Sequence, residues 1–292
     1  MQVMAGAPVG GAEAFFERLA VALDARSIEQ TIVVRNDEGR VRRLRQVGIE
    51  PTALRFGGVL DVSTRAKLKR LIDRLQPQIV LAWMNRATAM CPKPSAARRF
   101  ILVARLGGYY NLKYYRHCDH LIANTLGIRR YLVDQGWAPE RVHYLPNFVE
   151  PIASPDGVAT VPGMRPEGRN IFAAGRLHKN KGFDVLIRAL PMVVDAHLCI
   201  AGSGPLERQL RALAAQIGVA DRITWVGWLE SPADYYRATD VFVCSSRHEP
   251  LGNVIVEAWA CGAPVVAAAA QGPVELINDG TDGLLVPIDD PG

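Results

Sequence analysis

The sequence predicts an α/β protein built from two doubly wound parallel-sheet domains. Short β-branched runs alternate with amphipathic helical stretches over most of the chain. The alternation breaks once, over residues 146–168, where Pro, Gly and small residues replace periodic segments. A length of 292 residues at 49% hydrophobic content supplies enough apolar surface for two cores. The expected organisation is a first domain over 1–150, a linker over 151–168 and a second domain over 169–292.

Expected strands are QVMAG (2–6), TIVVR (31–35), IVLAW (79–83) and HLIA (120–123) in the first half. In the second they are IFAAG (171–175), HLCIAG (197–202), VFVC (241–244) and PVVAA (264–268). Near-continuous apolar runs of this length suit strands covered on both faces. Between them AEAFFERLAVALDA (12–25), RAKLKRLIDRL (65–75), FDVLIRALPMVV (183–194) and LERQLRALAAQIG (206–218) repeat apolar residues at three and four spacings, the period of a one-sided helix. No internal repeat or low-complexity tract interrupts the pattern.

Composition excludes several classes. The most apolar stretch, 254–270, is broken by Glu257, Gly262 and Pro264, so it does not read as a membrane span. The N-terminus MQVMAGAPVGGAE has neither a basic start nor a long apolar run, and the expectation is a cytoplasmic protein. Five scattered cysteines without a CxxC pair indicate neither a disulfide framework nor a zinc site. Charge is uneven: residues 1–150 hold 23 Lys and Arg against 13 Asp and Glu, whereas 151–292 hold 11 against 16. The basic runs RVRRLR (40–45) and TRAKLKRLIDR (64–74) read either as solvated helix faces or as a surface for something anionic: acidic lipid, phosphorylated glycan or nucleic acid. No nucleic-acid module accompanies the charge, so that partner ranks last.

Ligands of doubly wound sheets bind at the carboxyl ends of the strands, and the motifs fall there. Gly10 and Gly11 follow the first strand and open a helix near Ala12. In AAGRLHKNKG, Arg176 and Lys181 flank a strand-to-helix loop, a fork and a point charge suited to a diphosphate. IAGSGPLE places Gly202 and Gly204 between a strand and a helix, but the third glycine of a dinucleotide fingerprint is absent. In RHEPLGNVIVEAWACGAPVV, Glu249 lies in the exit loop of VFVC and Glu257 one turn into a helix of residues 253–262, with Asn253 as its expected cap. The N–H groups of Leu251, Gly252 and Asn253 form an anion site there. Carboxylates accept hydrogen bonds from hydroxyl pairs, so glutamates flanking a phosphate site point to a nucleotide sugar. Helix-dipole compensation by Glu257 is the plain structural reading.

EPLGNVIVEAWACGAPVVA, with its E-x7-E spacing, resembles the retaining glycosyltransferases of family 4. GRLHKNKG, GGAE, VGWLESPADYYRATDVFVCSS and PVELINDGTDGLLV resemble further segments of the same family. The resemblance spans nearly the whole chain. It implies the GT-B fold, two Rossmann-like domains facing a cleft. It further implies that Arg176 and Lys181 bind the donor diphosphate, Glu249 the transferred sugar and Glu257 the ribose, with the base near Val226 to Trp228. The implied reaction moves a hexose-type sugar from a nucleotide-diphosphate donor to a glycan or lipid-linked acceptor with retention, using no cofactor and no protein-bound metal. The tyrosines of GGYYNLKYYRH and the basic first half favour an acidic, membrane-attached acceptor such as lipopolysaccharide core, with peripheral contact to the inner face of the cytoplasmic membrane. Two departures stand out. Relatives present a histidine in the first domain where this chain has Arg105 and no histidine before His117, and they continue past DDPG. A catalytically impaired nucleotide-sugar binder, or a piece of a longer transferase, is the alternative expectation.

Overall fold

A computed structural model describes residues 1–8, 10–58, 61–96, 98–149, 161–229 and 231–292. The chain divides into two compact units, Met1–Asn147 and Phe148–Gly292. Most of the expected linker, residues 150–160, lies outside the described residues. Residues 161–168 belong to the second unit's packing: Val161 is buried in its core, and the Gly163 carbonyl accepts from Cys199 Sγ at 3.0 Å.

The first unit runs β1 (Gln2–Met4), α1 (Gly11–Asp24), β2 (Ile32–Arg35), α2 (Glu38–Gln46), β3 (Thr52–Leu54), α3 (Val62–Leu75), β4 (Ile79–Trp83), α4 (Met84–Met90), β5 (Ile101–Leu106), β6 (His120–Ala123), α5 (Leu126–Asp134) and β7 (Val142–Tyr144). Its seven strands are all parallel, in the order β3-β2-β1-β4-β5-β6-β7. Asp37, Asp61 and Thr125 start α2, α3 and α5 by accepting from Arg40, Thr64 and Ile128 N–H at 2.9, 3.0 and 3.0 Å.

The second unit runs β8 (Arg169–Ala174), α6 (Phe183–Ala189), β9 (Ala196–Ala201), α7 (Glu207–Gln216), β10 (Ile223–Gly227), α8 (Ala233–Ala238), β11 (Val241–Cys244), α9 (Asn253–Ala260), β12 (Val265–Ala268), α10 (Pro273–Leu276) and β13 (Leu284–Val286). Its six parallel strands are ordered β10-β9-β8-β11-β12-β13. Successive residues of β8 point to opposite faces, as strand geometry requires. Ile171 and Ala173 pack with Leu198, Ile187 and Leu210, and Phe172 packs with Tyr235, Tyr236 and Phe242.

Every expected strand is present, and the sheets gain β3, β5, β7, β10 and β13, whose runs are short or contain Arg, Gly or Thr. The stretch 183–194 is not one helix. It ends at Ala189 and passes into a 3-10 turn containing Pro191, which has no N–H to continue the ladder. In each sheet the strand order reverses beside the first strand, between β1 and β4 and between β8 and β11. At such a switch point the neighbouring exit loops part and leave room for a ligand.

Candidate functional site

In the second unit, β8 and β11 are direct neighbours, with Ile171 opposite Val241 and Phe172 opposite Phe242. Their exit loops therefore leave the sheet side by side. The first carries Arg176 and Lys181, the second Glu249. Gly175, at φ 156, turns the chain out of β8. A 3-10 turn of Lys179–Lys181 follows, ended by Gly182 at φ 63. A Cβ on Gly182 would stand 2.0 Å from the Ser245 carbonyl oxygen, so only glycine lets the two loops touch here.

The loops are joined by backbone and side chain. Asn180 O accepts from Arg247 N at 2.8 Å and His248 N at 3.2 Å, and Lys181 O accepts from Ser245 Oγ at 2.9 Å. Above this lacing the Lys181 ammonium donates to Glu249 Oε2, which also accepts from Ser246 Oγ at 3.3 Å. Glu249 is buried. Burial pushes the Lys181 ammonium towards its neutral form, but the Glu249 charge and hydrogen bond outweigh this and raise its pKa above the ordinary value. Arg176 is exposed, and its guanidinium has no side-chain partner among the described residues.

Gly202 joins the same place from β9. Its N–H donates to Gly227 O at 2.6 Å, and a Cβ there would stand 1.9 Å from Gly175 O. The exits of β8, β9 and β10 are thus in backbone contact. Trp228, next after Gly227, is 57% exposed. On the other flank the cap of α9 is Gly252, at φ 96, and Asn253 is the first helical residue. The expectation that Asn253 caps the helix is corrected: the chain enters the helix through a left-handed residue, a conformation that favours glycine over asparagine. The helix also ends at Ala260 rather than at 262, with Gly262 at φ 78 turning the chain towards β12. The N–H groups of Leu251 and Gly252 have no acceptor among the described residues, as expected at a helix N-terminus. Glu257 lies one turn inside α9 near the buried Tyr236 hydroxyl, whose pKa is raised by burial and then by the Glu257 charge. Its place one turn into the helix is as expected, and its contact with Tyr236 of α8 depends on tertiary packing that the E-x7-E spacing does not encode.

In the first unit, Gly10 caps α1, and the helix begins at Gly11, one residue before Ala12, as expected. The glycines make room for a side chain the motif reading had passed over. The buried Glu13 carboxylate accepts from Ala7 N–H at 2.8 Å, and a Cβ on Gly6 or Gly10 would stand 2.2 or 2.3 Å from its oxygens. Arg40, from the basic run 40–45, is not on a solvated face. It is wholly buried, bonds Glu17 at 3.1 Å and donates to the Ala7 and Pro8 carbonyls at 2.5 and 3.3 Å. Arg105 is also buried. Its guanidinium lies 4.4 Å from the Phe15 ring and 5.0 Å from Trp83 and donates to Asn147 Oδ1 at 2.6 Å. Of the four tyrosines, Tyr115 is fully buried with its hydroxyl on Asn85 Oδ1, Tyr110 and Tyr114 pack against the same core, and Tyr109 is 41% exposed.

Chemically, the second unit offers an exposed guanidinium, a partly buried ammonium, a helix N-terminus and a buried carboxylate around one switch point. That set holds an anion flanked by hydroxyl groups. Among the described residues no group of three or more His, Cys, Asp and Glu is placed to hold a metal ion, and no helix is long and apolar enough to cross a membrane.

Two parallel doubly wound sheets, each with a glycine-lined switch point, are the architecture of the GT-B fold. Residues 9–152 match the family model described as Glycosyltransferase Family 4, and residues 168–292 match that described as Glycosyl transferases group 1. The chain is 35% identical to the lipopolysaccharide core biosynthesis glycosyltransferase LpsE of Rhizobium meliloti (strain 1021), over 96% of this chain and 82% of the relative. It is 33% identical to LpsD of the same organism, over 95% and 80%. Among solved structures, Anabaena Alr3699/HepE in complex with UDP and glucose superposes with a TM-score of 0.80 at 22% identity, covering 100% of this chain and 87% of that one. The chain belongs to glycosyltransferase family 4.

Proposed function

We propose that this glycosyltransferase moves a hexose-type sugar from a nucleotide-diphosphate donor to a glycan or lipid-linked acceptor, with retention of configuration, in the synthesis of lipopolysaccharide core or a related surface polysaccharide. The observation that carries the reading is the Lys181–Glu249 pair at the β8–β11 switch point, beside Arg176 and the N-terminus of α9. The names of LpsE and LpsD support the acceptor class, and the UDP bound by HepE supports the donor class.

On this reading the donor diphosphate lies between Arg176, Lys181 and the N–H groups of Leu251, Gly252 and Asn253. These groups stabilise the charge that grows on the leaving diphosphate as the glycosidic bond breaks. No metal is needed from the protein for that purpose. Glu249 accepts hydrogen bonds from hydroxyls of the transferred sugar, Glu257 from the ribose, and Trp228 stacks on the base while Gly202 allows its close approach. Gly10 and Gly11, with the Glu13 carboxylate that fills the space beside Gly10, are the first unit's contribution to binding the sugar or acceptor. A donor phosphate oxygen takes the acceptor's proton, so Glu249 positions the sugar and does not attack it.

The protein acts in the cytoplasm, with peripheral contact to the inner membrane through the basic faces of α2 and α3. The test is thermal stabilisation by UDP, GDP, ADP and their sugars, because a ligand of the folded state raises its melting temperature. One nucleotide is expected to stabilise the chain, and Arg176→Ala to abolish that shift. A cooperative melt unmoved by every nucleotide at millimolar concentration would sink the reading. Sedimentation with anionic vesicles at low salt tests the membrane contact, and absence of binding removes it.

A further inference from the structure

We infer that Arg247 is a positioning residue of the donor site, a clamp that fixes Lys181 and Glu249 relative to one another without touching either side chain; this rests on the donor reading above. Lys181 and Glu249 come from two irregular loops, and neither belongs to an α-helix or a strand. Loop side chains hold catalytic geometry only if something rigid fixes the loops, since displacements near 1 Å cost large factors in rate.

Arg247 adds to the His248 and Ser245 bonds a side chain that reaches past the two loops into a helix. Arg247 Nη1 donates to Lys179 O at 2.9 Å, and its backbone N–H donates to Asn180 O at 2.8 Å. Nη1 and Nη2 each donate to one oxygen of Asp184 at 2.7 Å, a two-pronged bond into the first turn of α6. Nε completes the set on Asp289. Arg247 therefore ties the exit loop of β11 to the turn carrying Lys181, to the helix after that turn and to the segment past β13.

The chemistry of the clamp needs arginine. Only a planar fork can meet a carboxylate with two parallel bonds and still present donors to a backbone carbonyl and a second carboxylate. The hydrogen bond from Arg247 is the largest influence holding the Asp184 carboxyl below its ordinary value, so the pair stays charged at neutral pH. Arg247 lines a cavity of about 640 Å³ with Lys179, Arg188, Gln209 and Asp289, and it makes no bond to the side chain of Lys181 or Glu249.

The experiment measures UDP and GDP binding by calorimetry, well below the melting temperature, for wild type, Arg247→Ala, Arg247→Lys and Asp184→Asn. With the nucleotide that wild type binds, Arg247→Ala is expected to weaken binding tenfold or more, Arg247→Lys to recover little of it, and Asp184→Asn to lose a smaller factor. A variant that melts lower but binds with wild-type affinity would show Arg247 to be structural only and overturn the inference. If wild type binds none of UDP, GDP and, measured in the same way, ADP, the donor reading fails. The clamp is then judged by a second measurement, the coupling between Lys181→Met and Glu249→Gln in thermal stability. Coupling that disappears in the Arg247→Ala background upholds the clamp, and coupling that persists there overturns it. If Arg247→Ala does not fold, Arg247→Lys and Asp184→Asn carry both measurements.

Discussion

Lys181 and Glu249, 68 residues apart, are joined as an ammonium–carboxylate pair across the loops that leave β8 and β11. Removing one partner leaves the other partly buried and uncompensated. Lys181→Met is expected to lower stability by about 2–4 kcal/mol and to slow sugar transfer by about 10²–10³-fold through loss of charge stabilisation. Glu249→Gln is expected to spare diphosphate binding more than transfer. Denaturant melts and initial rates on the same preparations check both.

The same pair sets a pH dependence at the alkaline end. Because the Lys181 pKa is raised in the folded state, the stability it contributes is complete below its ordinary value of 10.5 and is lost as pH rises through the folded value. Wild type is expected to lose melting temperature more steeply above pH 10.5 than Lys181→Met, which lacks the group. Melts between pH 8 and 11.5 decide it. Asp184 works in the opposite direction. Its lowered pKa contributes stability above the ordinary carboxylate value of 3.8 that is lost as pH falls, by under about 1 kcal/mol because the pair is partly solvated.

Glycine substitutions separate close approach from chain freedom. Gly182 and Gly218 both have positive φ, 63 and 76, but a Cβ on Gly182 would overlap the Ser245 carbonyl, whereas one on Gly218 meets nothing within 4 Å. Gly218→Ala is expected to cost about 1 kcal/mol in stability and leave nucleotide affinity unchanged. Gly182→Ala is expected to cost about 2–4 kcal/mol and weaken nucleotide binding as the two loops separate.

Trp228 gives the converse result, function without stability. It is largely exposed, so Trp228→Ala is expected to change stability by no more than about 0.5 kcal/mol. Loss of a stacking face is expected to weaken nucleotide binding about tenfold or more. Equal affinity in the variant would remove Trp228 from the base site.

The thiols report on burial. Cys91 and Cys118 are pushed up to about 12 and Cys199 to about 11, each chiefly by burial, and Cys244 is raised by the same cause. At pH 8 the native protein is expected to release at most the half-buried Cys261 to a thiol-disulfide reagent, and all five thiols only after denaturation.

The sequence by itself determined the class of the fold and the neighbourhood of the site, because both rest on local patterns. Apolar runs such as IVLAW and three-and-four spacings such as LERQLRALAAQIG fix strands and helices through nearest neighbours. Arg176, Lys181 and Glu249 lie at strand exits that those patterns delimit. Tertiary structure decided what depends on distant partners. It buried Arg40 out of a run that reads as a charged surface, because Glu17 accepts from its Nε and the Ala7 and Pro8 carbonyls accept from its Nη2. It gave the α9 cap to Gly252 instead of Asn253, and it turned Arg247, an unremarked residue in RHEPLG, into the link between two loops and a helix. No local spacing encodes the two arginines' contacts: Arg40 meets Glu17 and the loop after β1 where β1 and β2 pair, and Arg247 meets Asp184 where the parallel strand order brings β11 beside β8.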